Sequence, residues 1–453
     1  MRTIAIIGGG FSGLAAALHV SRRANGICRM VLIDDAERVG LGVAYRTTRP
    51  EHLLNVRAAR MSALHHEPDH FVQWLRARKY PFGGDDFVPR AVFGAYLTEL
   101  YEELRAAGHV DHVRSRCIAL PQRERGRAIT LANGEVFVAD AAVLALGNGP
   151  PTEILVTKNG GPATDGRVVQ DPWRGMGRMH ISPDARIALI GAGLTAVDMV
   201  LTLDAIGHRA PITILSRRGM IACGHGAPGR AAVVPLDPSR VIGLSPRMAT
   251  RWIRRACQAE VEAGGDWRTV IDSLRPVTQS VWAAWTIAER GVFLCHLRTL
   301  WDVHRHRMAP SIAERIGHHL KVGRLRVLRA RVHSIELLER GLCVRTTRHD
   351  PESCEDSSLS FDLVINCTGP GTNPGRWGDP LINGLLDRAE ARVDALGLGL
   401  ETDQHGRLHG EDHSVSRGLF SLGPLRRPSL WETTAVPEIR EQAWFLADAI
   451  LKA

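Results

Sequence analysis

The sequence predicts an α/β fold in which one unit with a parallel sheet is inserted into another. An apolar strand, a glycine-rich turn and an apolar helix follow one another near residue 8, and the same succession returns near residue 191. The length of 453 residues fits two or three domains of roughly 150 residues each. With 44% hydrophobic and 23% charged residues, the composition is typical of a folded globular chain.

The first glycine turn follows the apolar strand 3–7. Its spacing, G-x-G-x-x-G, falls on Gly8, Gly10 and Gly13, with Phe11 and Ser12 opening the helix. This spacing permits a tight turn, close approach of a pyrophosphate to the backbone, and close packing of helix on strand. The next apolar run, 30–33, ends in Asp34, where a carboxylate can accept the hydroxyls of a ribose. A turn without a ligand is the alternative, but strand, helix and acid together favour dinucleotide binding.

The second turn follows the strand 187–190 and has Ala196 in place of the third glycine, a change that the pattern tolerates. Its predicted cofactor contacts are Gly191, Gly193, Leu194 and Thr195. The following strand, 212–215, ends in Ser216, Arg217 and Arg218, where the first copy has its acid. Because paired guanidinium groups suit a 2′-phosphate, we expect NADPH here and FAD at the first turn; a solvated loop is the alternative.

Three further apolar runs end in glycine, at Gly147, Gly369 and Gly423. Each would return the chain to the carboxyl edge of a parallel sheet, where dinucleotides bind. The sequence therefore predicts two Rossmann-like dinucleotide-binding domains. The FAD domain comprises residues 1–155 and 370–453, and the NAD(P)H domain, 156–369, carries a helical insertion at about 245–320.

Composition argues against several classes of protein. The net charge of +9 comes almost entirely from arginine, since only Lys79, Lys158, Lys321 and Lys452 are lysines, and the basic residues are scattered. A nucleic-acid partner is therefore not expected. The eight cysteines form no C-x-x-C pair, which argues against a redox disulfide, a zinc ribbon or an iron–sulfur cluster. With no apolar run of 18 residues and no secretory leader, we expect a cytoplasmic protein without membrane contact.

The predicted helical insertion is rich in Trp, His and Arg. We interpret it as a wall over the active-site cleft, where Arg298, Arg305 or Arg307 binds a substrate carboxylate or a nucleotide phosphate. A zinc site built from His296, Asp302, His304 and His306 matches no metal-binding spacing, so no metal is expected. His225, in the loop after the arginine pair, is a candidate cofactor contact or an ordinary loop residue.

Several segments resemble the bacterial FAD/NAD(P)-binding protein family. They are residues 40–45 (GLGVAY), 52–56 (HLLNV), 87–90 (FVPR), 191–198 (GAGLTAVD), 216–219 (SRRG), 301–307 (WDVHRHR) and 431–440 (WETTAVPEIR). That family is similar to two-dinucleotide flavoproteins, including amine and amino-acid N-hydroxylating and flavin-containing monooxygenases.

The resemblance implies roles for individual residues. Gly42, Ala44 and Tyr45 would line the adenosine and pyrophosphate side of FAD, Asn55 would approach the isoalloxazine ring as the catalytic candidate, and Ala435, Val436 and Glu438 would cap the pyrimidine edge of the flavin. The chain departs from the pattern at Arg57, where the family usually has proline. It departs again at Pro424, where many related flavoproteins have an aspartate for the ribityl chain.

The resemblance also implies an oxidoreductase that uses FAD and NADPH. The leading hypothesis is a monooxygenase that N-oxidises a small amine or amino acid through a C4a-hydroperoxyflavin. One alternative is a reductase that passes electrons to a small acceptor or carrier protein. The other is an FAD-binding or nucleotide-sensing protein without turnover. The partner expected in the first case is a small-molecule substrate; the sequence predicts neither its identity nor the oligomeric state.

Overall fold

The computed structural model describes residues 2–24, 26, 28–175, 179–229, 231–349 and 354–452. The chain divides into two compact units, of which one comprises residues 1–149 and 371–453 and the other residues 150–370.

The elements follow one another along the chain in three stretches. The first stretch contains β1 (Arg2–Ile7), α1 (Phe11–Ala24), β2 (Cys28–Ile33), α2 (Gly42–Tyr45), α3 (His70–Ala77), α4 (Arg90–Ala106), β3 (Val110–Val113), β4 (Cys117–Ala119), β5 (Arg127–Leu131), β6 (Val136–Ala139) and β7 (Ala141–Leu144). The inserted unit contains β8 (Val156–Lys158), β9 (Gly161–Pro162), β10 (Val168–Val169), α5 (Pro172–Gly175), β11 (Ile187–Ile190), α6 (Leu194–Ala205), β12 (Ile212–Ser216), α7 (Pro246–Glu262), α8 (Trp267–Ser273), α9 (Thr278–Ala284), α10 (Ile287–Val292), α11 (Arg298–Arg305), α12 (Pro310–Lys321), β13 (Leu325–Leu337), β14 (Leu342–His349), β15 (Cys354–Phe361) and β16 (Leu363–Asn366). The last stretch contains α13 (Pro380–Asp387), β17 (Arg407–His409), β18 (Val415–Ser421) and α14 (Val436–Lys452).

The sheet of the first unit has the order β17-β18-β7-β1-β2-β3. It is parallel except for the β17–β18 pair. Ile4 of β1 is aligned with Met30 of β2 on one side and with Ala141 of β7 on the other. Because strands covered on both faces are apolar, residues 4–7 of β1 and all of β7 are continuous hydrophobic runs. A separate three-stranded antiparallel sheet has the order β4-β5-β6.

The inserted unit repeats the central arrangement. The main path of its sheet has the order β10-β16-β11-β12-β13-β14-β15, in which the strands from β10 through β16 to β13 are parallel. Off this path, β8 pairs with β13 and β9 pairs with β8. β13 then extends beyond the parallel part into antiparallel pairing with β14, which pairs with β15. Helices and short helical turns occupy most of residues 238–321. The predicted α/β class with parallel sheets is confirmed.

His19 is buried between α1 and α14. Its ring centroid lies 5.8 Å from that of Trp444, in an edge-to-face arrangement. Burial above all, with contributions from His65, Arg22 and Arg23, lowers the pKa of His19 from 6.5 to about 3. The folded chain therefore holds this imidazole neutral over a pH range in which an unfolded chain protonates it.

We expect His19 to make the protein sensitive to acid. Because its pKa is lower in the folded state, the free energy of unfolding falls as pH drops below 6.5, by up to about 1.4 kcal/mol per pH unit, until the folded-state pKa is reached. Chemical denaturation should show that the free energy of unfolding falls less between pH 7 and pH 4 in His19→Leu than in the wild type. His405→Gln, at an exposed histidine, is the control, and its free energy of unfolding should depend on pH as that of the wild type does. Equal slopes in all three proteins would contradict the assignment.

Candidate functional site

Gly8 closes the turn after β1. Its φ is +107°, and a Cβ built on it would lie 2.4 Å from the carbonyl oxygen of Ala145, beyond the end of β7. Its N–H donates to the Ile33 carbonyl at the end of β2 (2.9 Å). Both the conformation and the space require glycine here, so the turn lies where three parallel strands end.

Gly13 permits α1 to approach the turn closely. A Cβ on Gly13 would lie 1.9 Å from the carbonyl oxygen of Gly8. The first hydrogen bond of the helix joins Leu14 N to Gly10 O (3.0 Å). The amides of Phe11, Ser12 and Gly13 belong to a first turn that has no carbonyl one turn earlier in the helix. The carboxyl edge of the sheet thus presents the positive end of α1, the arrangement that binds phosphate in many proteins.

Asp34 lies directly against the glycine turn. Its carboxylate accepts hydrogen bonds from the backbone N–H groups of Gly9 and of Ala36, the latter at 2.7 Å. The side chain is half-buried. Each carboxylate oxygen can accept more than one hydrogen bond, so Asp34 retains acceptor capacity for a ribose at this edge.

The predicted loop at residues 40–45 covers the same turn. Gly40 N donates to Gly9 O (2.7 Å), and a Cβ on Gly42 would lie 3.3 Å from the Cα of Gly10. Ala44 is exposed beside them in α2. The ring of Tyr45 points towards the core instead, because its centroid lies 4.8 Å from that of Phe93 and 6.4 Å from that of Phe11.

The two neighbouring family-like segments, 52–56 and 87–90, pair with each other. Leu54 N donates to Val88 O (2.9 Å), and Arg90 N donates to His52 O (2.8 Å). Asn55 is half-buried within this pair. The guanidinium of Arg57 donates to Asp85 O (2.5 Å) and lies 4.8 Å from the centroid of the Phe87 ring. Arg57 therefore fastens the loop at residues 85–87.

The last strand and last helix complete the edge of the first sheet. Gly423 follows β18 with φ +79°, and a Cβ on it would lie 2.5 Å from the Oγ of Ser12 in α1. Its carbonyl accepts from the Thr433 hydroxyl (3.4 Å), and its N–H donates to Gln442 (3.4 Å). α14 begins at Val436, directly after Ala435, and has Glu438 in its first turn. The fold thus brings residues predicted from both ends of the sequence to one place.

Two residues of this edge differ in their surroundings. Gly147, with φ +70°, follows β7 and would meet no atom within 4 Å if it carried a Cβ, among the residues that the structure describes. Pro424 opens a short 3₁₀ turn at Gly423–Arg426. A proline has no carboxylate for a ribityl hydroxyl, so that family contact is absent from this position.

The second turn copies the first in the inserted unit. A Cβ on Gly191, whose φ is +105°, would lie 2.5 Å from Cys367 O, and its N–H donates to Leu215 O (2.8 Å). Ala196 is buried in the position equivalent to Gly13. Helix α6 therefore leaves room for the methyl group of Ala196, whereas α1 leaves no room for one at Gly13. Gly193 is exposed, and Leu194 and Thr195 form the first turn of α6.

The arginine pair lies at the end of β12. Ser216 is the last residue of that strand, and both Arg217 and Arg218 are exposed. The Arg218 guanidinium donates to the carbonyl of Cys295 (3.2 Å), which lies in the π-helical segment Phe293–Leu297. The helical insertion therefore holds one of the two predicted phosphate contacts.

Sequence reasoning missed a buried asparagine beside Gly369. The Asn366 side chain ends β16, donates to Thr152 O (3.0 Å), and accepts from the hydroxyl and the N–H of Thr368 (2.7 and 3.2 Å). It fixes the turn that leads to Gly369, whose φ is +86°. A polar residue at the end of an otherwise apolar run was the only signal.

The arginines predicted to bind ligand in the helical insertion differ in burial and in their ion-pair partners. Arg307 is buried and paired with Asp272, and burial lowers its pKa despite that partner. It is therefore not placed to bind a substrate carboxylate. Arg298 pairs with Asp302 (3.3 Å) on the same helix. The N–H of His225 donates to Met308 O (2.9 Å), so this loop is fastened to the end of the insertion.

The described ranges offer neither a metal-binding cluster nor a membrane-spanning helix. These residues contain no group of three or more His, Cys, Asp and Glu side chains arranged to hold a metal ion. Nor do they contain a helix both long and apolar enough to cross a bilayer.

Comparison with known proteins agrees with this geometry. Residues 5–149 match a family described as FAD-NAD(P)-binding. No curated protein matches the sequence. The reduced form of ornithine hydroxylase from Pseudomonas aeruginosa is 17% identical, with a TM-score of 0.65, and the alignment covers 100% of this chain and 98% of that one. The ornithine N-hydroxylase of Kutzneria sp. 744, with reduced FAD, NADP+ and L-ornithine, is 14% identical, with a TM-score of 0.67 and coverage of 100% and 99%.

A third structure, L-lysine 6-monooxygenase from Pseudomonas syringae, is 16% identical, with a TM-score of 0.64 and coverage of 100% and 99%. At these identities the likeness concerns the fold. The predicted fold class is confirmed, and the match over residues 5–149 supports the suggested family. Residues 5–149 match the FAD-NAD(P)-binding family model, and the whole chain has the fold of flavoproteins with two dinucleotide-binding domains.

Proposed function

We propose that this protein is an FAD-dependent, NADPH-using monooxygenase that N-hydroxylates a small amine or amino acid. The observation that carries the proposal is the presence of two equivalent glycine turns with opposite charges beside them, Asp34 in one unit and Arg217 with Arg218 in the other. An acid suits an unmodified ribose, and paired guanidinium groups suit a 2′-phosphate. The likeness to ornithine and lysine hydroxylases extends over the whole chain.

The first unit fits FAD. Gly8 and Gly13 allow the turn and α1 to pack closely, because a Cβ on either would lie 2.4 or 1.9 Å from a backbone oxygen, and the positive end of α1 lies at this turn beside Gly10. Asp34 would hold the ribose, and Gly42 and Ala44 would cover the pyrophosphate. Ala435 and Val436 would present the N-terminus of α14 to the flavin, with Glu438 nearby, and Gly147 and Gly423 would complete the edge. Bound FAD would supply the transfer of electrons from NADPH to oxygen.

The inserted unit fits NADPH. Gly191, Gly193, Leu194 and Thr195 would form the pyrophosphate contact at the N-terminus of α6, and Gly369 would return the chain beside it. Ser216 and the arginine pair would bind the 2′-phosphate. In the first unit, Asn55 would donate its amide hydrogen to the oxygenating site.

Sequence chemistry favours oxygen over a thiol acceptor. The chain has no C-x-x-C pair and so lacks the dithiol of a disulfide reductase. The amine substrates of the ornithine and lysine hydroxylases suggest the class of substrate to try first.

Oxygen use tests the proposed function. Purified protein containing FAD should oxidise NADPH and consume oxygen when L-ornithine, L-lysine, cadaverine or a related amine is added. With isotopically labelled oxygen, the hydroxylamine product should carry the label. NADPH oxidation that reduces an added dye but incorporates no oxygen into any amine would favour a reductase. FAD that NADPH fails to reduce would favour a binding protein without turnover.

The arginine pair should determine the preference between the two nicotinamide cofactors. We expect Arg217→Ala/Arg218→Ala to raise the KM for NADPH by about 100-fold, since two charge-assisted hydrogen bonds are lost, and to leave the KM for NADH within about twofold. Steady-state kinetics of flavin reduction with both cofactors would measure this. An equal rise in both KM values would contradict the 2′-phosphate assignment.

A further inference from the structure

The parallel part of the second sheet ends with an arginine that the sequence pattern does not single out. β12 and β13 are parallel, and their register aligns Ser216, the last residue of β12, with Arg329. Beyond this point β13 leaves the parallel sheet and pairs with β14. Aligned residues of parallel neighbours point to the same face of a sheet. Arg329 therefore lies at the carboxyl edge on the face of Ser216.

The turn after β12 folds against this arginine. Gly219 has φ +63°, and a Cβ built on it would lie 3.2 Å from the Cβ of Arg329. Gly219 N also donates to Ser216 O (3.2 Å), which closes the turn around Arg217 and Arg218. The left-handed glycine thus brings the arginine pair beside Arg329.

Among the residues that the structure describes, no carboxylate forms an ion pair with Arg217, Arg218 or Arg329. Within the described residues, Arg217 and Arg329 have no ion-pair or hydrogen-bond partner, and both are exposed. Arg218 donates to the Cys295 carbonyl. Many other arginines of the chain are paired, as Arg186 is with Asp362 (2.9 Å) and Arg345 with Glu336 (2.7 Å). Like charges gathered without a counter-charge repel one another, and an anionic ligand removes that repulsion.

We propose that Arg329 is a specificity-determining residue that completes a three-arginine site, with Arg217 and Arg218, for the 2′-phosphate of NADPH. The inference rests on the proposed function of the inserted unit and adds a contact from a strand more than 100 residues away. A phosphate monoester offers three oxygens, and planar guanidinium groups bind such oxygens in pairs. The π-helical carbonyl of Cys295 orients Arg218, so the helical insertion also sets the geometry of the site. π-Helical segments frequently occur at functional sites.

Binding of adenosine 2′,5′-bisphosphate and of adenosine 5′-monophosphate tests the inference without turnover. Calorimetry on the FAD-containing protein should show that Arg329→Gln raises the Kd of the bisphosphate about tenfold and leaves the Kd of the monophosphate unchanged. Arg329→Lys should recover part of the loss. The control is Arg331→Gln, an exposed arginine two residues further along β13, where the strand is aligned with Thr347. It should bind both nucleotides as the wild type does.

The outcomes separate this inference from the proposed function. In one outcome the wild type prefers the bisphosphate, and its binding is weakened by Arg217→Ala but not by Arg329→Gln. Arg329 then has no part in the site, and only this inference fails. If Arg329→Gln and Arg331→Gln weaken the bisphosphate equally, the effect is one of overall charge, and the inference also fails. If the wild type binds both nucleotides equally, the NADPH assignment itself is wrong, and the three-arginine site falls with it.

Discussion

Gly13→Ala is expected to abolish the retention of FAD and to lower the thermal stability of the first unit. The new Cβ would lie 1.9 Å from the Gly8 carbonyl oxygen and 3.4 Å from the Cγ2 of Ile6. The first of these is a backbone atom in the turn between β1 and α1, so relief requires the helix to move away from the sheet. Overpacking a core generally costs about 1–3 kcal/mol, and more where backbone must shift.

Movement of α1 would also displace the amides that we assign to the pyrophosphate. The ratio of FAD to protein after purification and the melting temperature would measure both effects. Gly317→Ala is the matched control, since Gly317 is exposed on α12 and its Cβ would meet no atom within 4 Å among the described residues. That variant should gain up to about 1 kcal/mol from helix propensity. A Gly13→Ala protein with full FAD content would show that the close approach is not needed.

Arg127→Ala is expected to lower the free energy of unfolding by about 3–5 kcal/mol, because its charge-assisted hydrogen bonds to Glu390 and to two backbone carbonyls are lost together. Arg127 begins β5, is 1% exposed, and pairs with Glu390. It also donates to the carbonyls of Leu120 (3.0 Å) and Arg417 (3.4 Å). A single guanidinium thus joins the small antiparallel sheet to the segments around residues 390 and 417.

Glu390 supplies the matched comparison. Although burial opposes it, hydrogen bonds from Arg127 and Arg388 lower the pKa of Glu390. Arg388 is much more exposed than Arg127, so Arg388→Ala should cost less than about 1 kcal/mol. Urea denaturation would measure both variants. Equal losses would mean that the buried hydrogen bonds of Arg127 contribute no more than a surface pair.

The lowered pKa of Glu390 also predicts how the loss of free energy of unfolding in Arg127→Ala depends on pH. A carboxylate with a lowered folded-state pKa stabilises the fold above its unfolded pKa, and this contribution disappears as pH falls through the folded-state value. The difference between the wild type and Arg127→Ala should therefore be largest near neutral pH and shrink in acid. A difference that grows in acid would contradict the ion pair.

Local sequence determined the parts of the fold that depend on neighbouring residues. The two strand, turn and helix successions were predicted because an apolar run, glycines at fixed spacing and a following helix lie within about 20 residues. The predicted contacts at Gly8, Gly13, Asp34 and Gly191 were inferred in the same way, since steric demands of a turn appear as glycine in the sequence. Their assignment to cofactors stays a proposal.

Tertiary structure decided what depends on distant residues. The antiparallel sheet β4–β6 was missed because its strands are only three to five residues long. The antiparallel strands β13–β15 were missed because charged residues interrupt their alternating pattern. Asn366 and Arg329 acquire meaning only from their partners, Thr152 in one case and Ser216 with Gly219 in the other. Sequence alone predicted that arginines follow β12. The register between β12 and β13 placed Arg329 beside them. Because this register depends on the packing of the whole sheet, no local sequence pattern shows which residue of a distant strand will be aligned there.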